Sequence, residues 1–251
     1  MTVAIIGSGN VAAILGRVIR DKQHSIIHIA SRSLDHADHL AKIFNCTFSD
    51  YGGLSHIKAD IFLIAVSDSA ISECVSQFKV RDTLLLHTAG SVSKNVLESS
   101  SENYGVLYPL QSLRKEMEAI PEIPFLIDGS SQDVIQYIEA FALSLSRDVE
   151  IANDEQRLKL HTAAVIVSNF TNHLYALAED FCKKEQVNFD LLKPLILETA
   201  QRIQTLSPGS VQTGPALRKD IQTLDKHLKL LANYPKLRDI YLKITDSIMH
   251  A

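Results

Sequence analysis

The chain has 251 residues, 46% of them hydrophobic and 22% charged, with a formal net charge of −4 at pH 7. This is an ordinary globular composition, with enough chain for one large domain or two modest ones. No lysine- or arginine-rich run advertises a nucleic-acid partner, and no apolar run approaches the roughly 18 residues of a membrane helix. Residues 3–6, 25–30, 61–66, 83–87, 104–108 and 124–127 read as strands. Several are continuously apolar, as strands buried on both faces of a parallel sheet are. Helical patterns fill 11–21, 34–44, 69–78 and 133–145, with Ser33 and Asp68 where N-caps are useful. The alternation predicts a doubly wound, mainly parallel Rossmann-type α/β domain over residues 1–150.

From about Asn153 the strand signals stop. Residues 154–184 read as one long helix, apolar on more than one face (AAVIV at 163–167), a pattern that predicts burial within an all-α unit. A second helix over about 190–206 carries Pro194 near its first turn, where proline is tolerated. SPGSVQTGP (207–215) is the clearest loop, and helices over about 219–233 and 235–249 follow. Residues 151–251 are thus expected to form an all-α C-terminal domain that closes a substrate site and dimerises. Cys46, Cys74 and Cys182 are far apart and read as reduced core residues, and neither cysteines nor histidines suggest a metal site. The first strand begins near Thr2, which leaves no room for a signal peptide, and a cytoplasmic protein is expected.

The sharpest motif is GSGNVA at 7–12, between the first strand and the first helix. In this GxGxxA form, Gly7 allows the tight turn, Gly9 lets the backbone approach a pyrophosphate, and Ala12 lets the helix pack on the sheet. Ser8, Asn10 and Val11 complete the turn, and the helix amino end favours an anion. The end of the second strand decides between dinucleotides. NAD-binding proteins usually carry an acidic residue there, whereas this chain has Ser31, Arg32 and Ser33. A guanidinium between two hydroxyls suits the 2′-phosphate of NADP. The alternative is that Arg32 is a solvated residue and Ser33 only a cap.

GSGNVA, IASRS, AVSD (65–68) and LHTAGS (86–91) together resemble the NADP-binding domain of F420-dependent NADP oxidoreductases and pyrroline-5-carboxylate reductases. The helical half is similar to the C-terminal domain of 6-phosphogluconate dehydrogenases. LHTAGS, GVLYPLQSL (105–113), HTAAVIVSNF (161–170) and TGPALRKD (213–220) more closely resemble the Rossmann-like proteins with a DUF2520 C-terminal domain. The resemblance implies NADP as cofactor. By position it implies that Val66 and Ser67 line the path from adenosine to nicotinamide. It also implies that Thr88, Ala89 and Gly90 face the nicotinamide.

Hydride transfer needs orientation and a proton donor near the substrate. His161, Val165, Ser168 and Asn172 would share a stripe on an unbroken helix. His161 as acid/base and Asn169 or Asn172 as a carbonyl binder are the first candidates; alternatively these polar groups tie helices together. Arg218 and Asp220 could meet a charged substrate, or could form an ion pair and a helix cap. His87 reads as a core histidine or, less simply, a base. There is no YxxxK, and the interdomain helix has no KxxxN pair, which departs from short-chain and β-hydroxyacid dehydrogenases. The expected function is NADP(H)-dependent hydride transfer to or from a small carbonyl or imine substrate at the domain interface, in a homodimer. The alternatives are a non-catalytic NADP-binding sensor or scaffold, and F420-coupled reduction of NADP, which rests on resemblance alone.

Overall fold

The structure, a computed structural model, describes residues 1–80 and 83–250. The chain divides into two compact units, Met1–Ser168 and Asn169–Ala251. The division expected near residue 150 falls at the last strand, and the helix beyond it belongs with the first unit.

In the first unit β1 (Thr2–Ile6) leads to α1 (Asn10–Asp21), β2 (Ser25–Ala30) to α2 (Leu34–Phe44), and a short β3 (Thr47–Ser49) follows. β4 (Ile61–Ile64), α3 (Ile71–Val75), β5 (Leu84–His87), β6 (Tyr104–Pro109), β7 (Phe125–Gly129), α4 (Gln132–Leu145) and β8 (Val149–Ile151) complete the sheet layer. The sheet order is β3-β2-β1-β4-β5-β6-β7-β8, parallel throughout except that β6 and β7 are antiparallel. The 3-2-1-4-5-6 run is the order of a Rossmann domain.

Residue alternation explains the two-sided burial. Val3, Ile5, Ile61 and Leu63 enter one core with Ile14, Leu15 and Ile19 of α1 and Phe141 of α4. Ala4, Ile6, Phe62 and Ile64 enter the other with Ile71, Cys74 and Val75 of α3. α1 forms because Val11, Ile14, Leu15, Val18 and Ile19 recur at helical spacing, and it stops at Gln23, whose φ is 65°. β3 and β8 escape sequence reading because each spans three largely exposed residues, too few for an alternation to register. Ser33 caps α2 as expected. Asp68 does not cap α3: a 3₁₀ turn (Asp68–Ala70) precedes that helix, and the Asp68 carboxylate accepts from Ser91 Oγ at 2.5 Å instead.

α5 (Asp154–Ala164) opens with a reciprocal cap between Asn153 and Gln156. The expected single long helix is interrupted, because Val165–Phe170 is π-helical before α6 (Thr171–Lys184). The 3.6-residue spacing behind the expected polar stripe therefore fails across this segment. α7 (Lys193–Arg202), α8 (Ile221–Leu230) and α9 (Pro235–Met249) complete the second unit. Burial of AAVIV is not met within the chain: Ile166 and Val167 are 54% and 72% exposed. Periodicity reports an apolar face but not what covers it.

Candidate active site

The carboxyl ends of β1, β4 and β5 share one edge of the sheet. Gly7 leaves β1 with its N–H donating to the Ala30 carbonyl at 2.7 Å and with φ at +126°. A Cβ at this position would lie 2.2 Å from the Ala65 carbonyl oxygen. Both the dihedral and the crossing over β4 demand glycine. Gly9 is the N-cap of α1, with no side-chain cap and no acidic residue in the first turn. Among the described residues no protein acceptor takes the N–H of Asn10, Val11 or Ala12. Space over Gly9 is open, for an added Cβ would meet nothing within 4 Å. Unpaired amides at a helix amino end, approached across a bare glycine, fit the diphosphate of a dinucleotide.

Ser8 Oγ and Ser31 Oγ are hydrogen bonded at 2.9 Å, joining this turn to the end of β2. Ser31 Oγ also accepts from the Ser33 N–H at 3.4 Å, and Ser33 Oγ accepts from the His36 N–H at 3.4 Å. The two serines thus shape the loop, Ser33 as the cap that sequence allowed. Arg32 between them is exposed and no carboxylate pairs with it among the described residues. A free guanidinium there is compatible with an additional phosphate.

Val66 is half-buried and Ser67 exposed after β4, while Thr88, Ala89 and Gly90 after β5 are buried. Thr88 donates both its N–H and its hydroxyl to the Ile64 carbonyl, each at 3.1 Å, which ties the two strand ends together. His87 is fully buried, and its Nδ1 accepts from the Ala89 N–H at 3.1 Å. Burial, followed by the charge of Arg157, pushes the imidazole down to about 4. His87 is therefore a neutral core histidine that shapes the loop, and it is not a base.

α5 is pinned to the same loop. Arg157, 1% exposed, donates from Nη2 to the Val92 carbonyl at 2.6 Å and to Asp154 Oδ1 at 2.7 Å. One turn later His161 projects on the same side of the helix. Its Nδ1 is 2.9 Å from the Tyr108 hydroxyl, with the rings edge to face at 5.8 Å between centroids. Both reach Gly90: a Cβ on that glycine would lie 2.7 Å from His161 Nδ1 and 2.9 Å from Tyr108 Cζ. Burial, then the Asp68 charge, raises the Tyr108 hydroxyl above its ordinary value, so it stays protonated and can donate to Nδ1. Sequence reasoning missed Tyr108, which it reads only as a strand residue, and Arg157. The available signal was the four-residue spacing of Arg157 and His161.

Asn169, Arg218 and Asp220 lie in the second unit. Asn169 is exposed in the π-helical segment. Asp220 caps α8, accepting from the Thr223 N–H at 3.1 Å and the Thr223 hydroxyl at 2.8 Å, and these bonds hold its carboxyl below the usual range. Arg218 is exposed, and no hydrogen bond or ion pair joins it to Asp220 or Asn169. Half of the structural reading of this motif, the cap, is thus formed. Among the described residues no three His, Cys, Asp or Glu side chains gather in a metal-holding cluster. His24 and His28, four apart, take different partners: Ser144 Oγ for one, Thr47 and Ser49 for the other. No helix among the described residues is long and apolar enough to cross a membrane.

The state of His87 has a consequence for stability. In an unfolded chain it titrates near 6.5, and in the folded chain near 4. Its neutral form therefore contributes stability that is complete above pH 6.5 and declines as the pH falls from 6.5 toward 4, by on the order of 3 kcal/mol at most. His87→Asn keeps an acceptor for the Ala89 N–H. Urea denaturation across that window is expected to show a flatter pH dependence for the variant; an unchanged slope would place its origin elsewhere.

Residues 123–248 match the family described as DUF2520, a domain of unknown function, and residues 2–89 match the family described as NADP oxidoreductase, coenzyme F420-dependent. The chain is 37% identical, over 100% of its length and 98% of the other, to a Bacteroides fragilis protein described as a putative NADP oxidoreductase, with a TM-score of 0.90. A Thermotoga maritima protein is 20% identical, covering 99% and 97% of the two chains, with a TM-score of 0.73. A reductive aminase from Aspergillus terreus, solved with NADPH and ethyl-5-oxohexanoate, shares the fold at 13% identity, with coverage of 100% and 93% and a TM-score of 0.75. No curated protein matches. The chain belongs to the DUF2520 family, an NADP-oxidoreductase domain precedes the DUF2520 domain in it, and NADP is its cofactor.

Proposed function

We propose that this protein transfers hydride between NADP(H) and a small carbonyl or imine substrate, with His161 as the proton donor. The observation that carries the reading is the convergence of the Tyr108 hydroxyl and the His161 imidazole on Gly90, in the loop after β5. In this reading Gly7, Ser8, Gly9, Asn10 and Val11 cradle the diphosphate, while Ser31, Arg32 and Ser33 receive the 2′-phosphate. Val66 and Ser67 line the path between the two ends of the cofactor, and Thr88, Ala89 and Gly90 form the floor under the nicotinamide. When bound, NADPH supplies the hydride. With Tyr108 donating to Nδ1, the ring proton of His161 lies on Nε2, which has no partner among the described residues. Nε2–H can then bond the carbonyl oxygen or imine nitrogen, stabilise charge developing there and deliver the proton, while the Tyr108 hydroxyl proton passes to Nδ1 so that the ring stays neutral and the phenolate takes the charge. The reductive aminase neighbour, solved with NADPH and a keto ester, supports the substrate class by analogy of fold.

We further infer a homodimer. Only Cys182, Ala216, Leu224 and Leu231 are buried apolar residues of the second unit among those described. Leu191, Leu195, Leu197, Ile221 and Leu230 are all more than half exposed. A helical unit with so small a core and so much apolar surface is completed best by another copy of itself. Sedimentation at micromolar concentration should give twice the mass of one chain; a monomer at all concentrations would reject the pairing.

Two experiments test the chemistry. Titration followed by nicotinamide fluorescence should show tighter binding of NADPH than NADH. Arg32→Ala should weaken NADPH by about ten- to a hundredfold and leave NADH unchanged, as expected for loss of a charge-assisted phosphate contact of about 1.5–3 kcal/mol. Equal affinity of the unaltered protein for both cofactors would contradict the role given to Arg32. A panel of carbonyls and imines should include a compound that drives NADPH oxidation. His161→Gln should slow that oxidation by about 10²–10⁴ with NADPH affinity retained. If no compound turns over, the protein is a cofactor-binding sensor or scaffold; if His161→Gln turns over normally, the proton comes from another group.

A further inference from the structure

The connection from β6 to β7, residues 110–124, has no regular secondary structure, yet it is anchored along its length. Leu113 and Ile123 are buried in the core that includes α1, and Met117 and Ile120 pack against it. Arg17, on the second turn of α1, donates from Nη1 to the Met117 carbonyl at 2.6 Å and from Nη2 to the Glu118 carbonyl at 3.0 Å. The Lys115 N–H donates to Asn10 Oδ1 at 3.3 Å. Asn10 is the first residue of α1, beside the unpaired amides. Its side chain thus tethers a strap from 105 residues away.

The strap brings Lys115 to this helix end, with Arg114 beside it in sequence. Arg114 is 74% exposed and shares a loose ion pair with Glu116 at 3.6 Å. Lys115 is exposed, and its ammonium has no partner among the described residues. In a chain of net charge −4, no global field gathers an anion here. The amides of the turn contribute only partial charges, and a full cation nearby adds a charge-assisted contact to a doubly charged diphosphate. Arg32 sits at the end of β2, at the other extremity of the Ser8–Ser31 link, and suits the 2′-phosphate. Lys115 is tied directly to the first turn of α1.

We propose that Lys115 is a cofactor-binding residue that neutralises the diphosphate of NADP, and that residues 110–124 form the outer wall of that site, held there by Arg17 and Asn10. The inference rests on the NADP assignment and adds a charge that the glycine motif itself lacks. Fluorescence titration of NADPH and NADH against the unaltered protein, Lys115→Gln, Lys115→Arg and Arg17→Met tests it. The diphosphate is common to both cofactors, so Lys115→Gln should raise both dissociation constants by the same factor, about three- to tenfold, and reduce their salt dependence. Lys115→Arg should restore binding. Arg17→Met, which frees the strap without removing a ligand group, should weaken both cofactors as well. Unchanged affinities in Lys115→Gln, with the unaltered protein binding normally, would overturn the proposal and leave the NADP assignment intact. A loss confined to NADPH would move the cation to the 2′-phosphate and overturn the diphosphate contact. Failure of the unaltered protein to bind either cofactor would overturn the NADP assignment and this inference with it.

Discussion

At the exit from β1 the chain passes over the end of β4 so closely that no Cβ fits between them. Gly7 alone allows that crossing, and it does so in a backbone region that other residues avoid. Everything at the sheet edge follows from it. The turn can enter α1 at once, the helix can lie across a sheet buried on both faces, and its bare amino end faces the opening above β1 and β4. An uncapped helix end costs stability unless some group satisfies its amides. Here Gly9, which cannot cap through a side chain, leaves them for an anion.

A second set of constraints fixes the loop after β5. His87 reaches forward from beneath to the Ala89 amide, Thr88 ties back to β4, and Arg157 grips the Val92 carbonyl from α5. The two histidines of this region illustrate how environment divides one residue type into two roles. His87 is wholly buried beside a cation and stays neutral. His161 is half-buried, is oriented by a phenol through Nδ1, and has no partner for its other nitrogen among the described residues. The first shapes the loop; the second is the proton donor in the proposed reaction.

Much of the first unit was legible because buried parallel strands are short apolar runs and their helices repeat apolar residues at fixed spacing. The six strands of the core sheet and α1, α2 and α4 lie within a residue or two of expectation. The edge strands β3 and β8 were not legible, since partner strands rather than local pattern create them. The π-helical segment was not legible either, for i to i+5 bonding leaves no compositional mark and shifts every face expected downstream. Asp220 shows the limit of reading by residue type: a carboxylate near an arginine suggested either chemistry or an ion pair with a helix cap, and its oxygens form the cap without the ion pair.

By itself the sequence determined the Rossmann architecture, the position of the glycine-rich turn and the absence of an acidic residue after β2. These are encoded within runs of ten or so residues, where sterics and periodicity act locally. Only tertiary structure decided that Tyr108 meets His161 across 53 residues, that Lys115 is tethered to Asn10, and that His87 is sealed in the core. Those pairings depend on strand register and on where irregular connections come to rest. Both are set by packing over the whole domain, and no local pattern carries them.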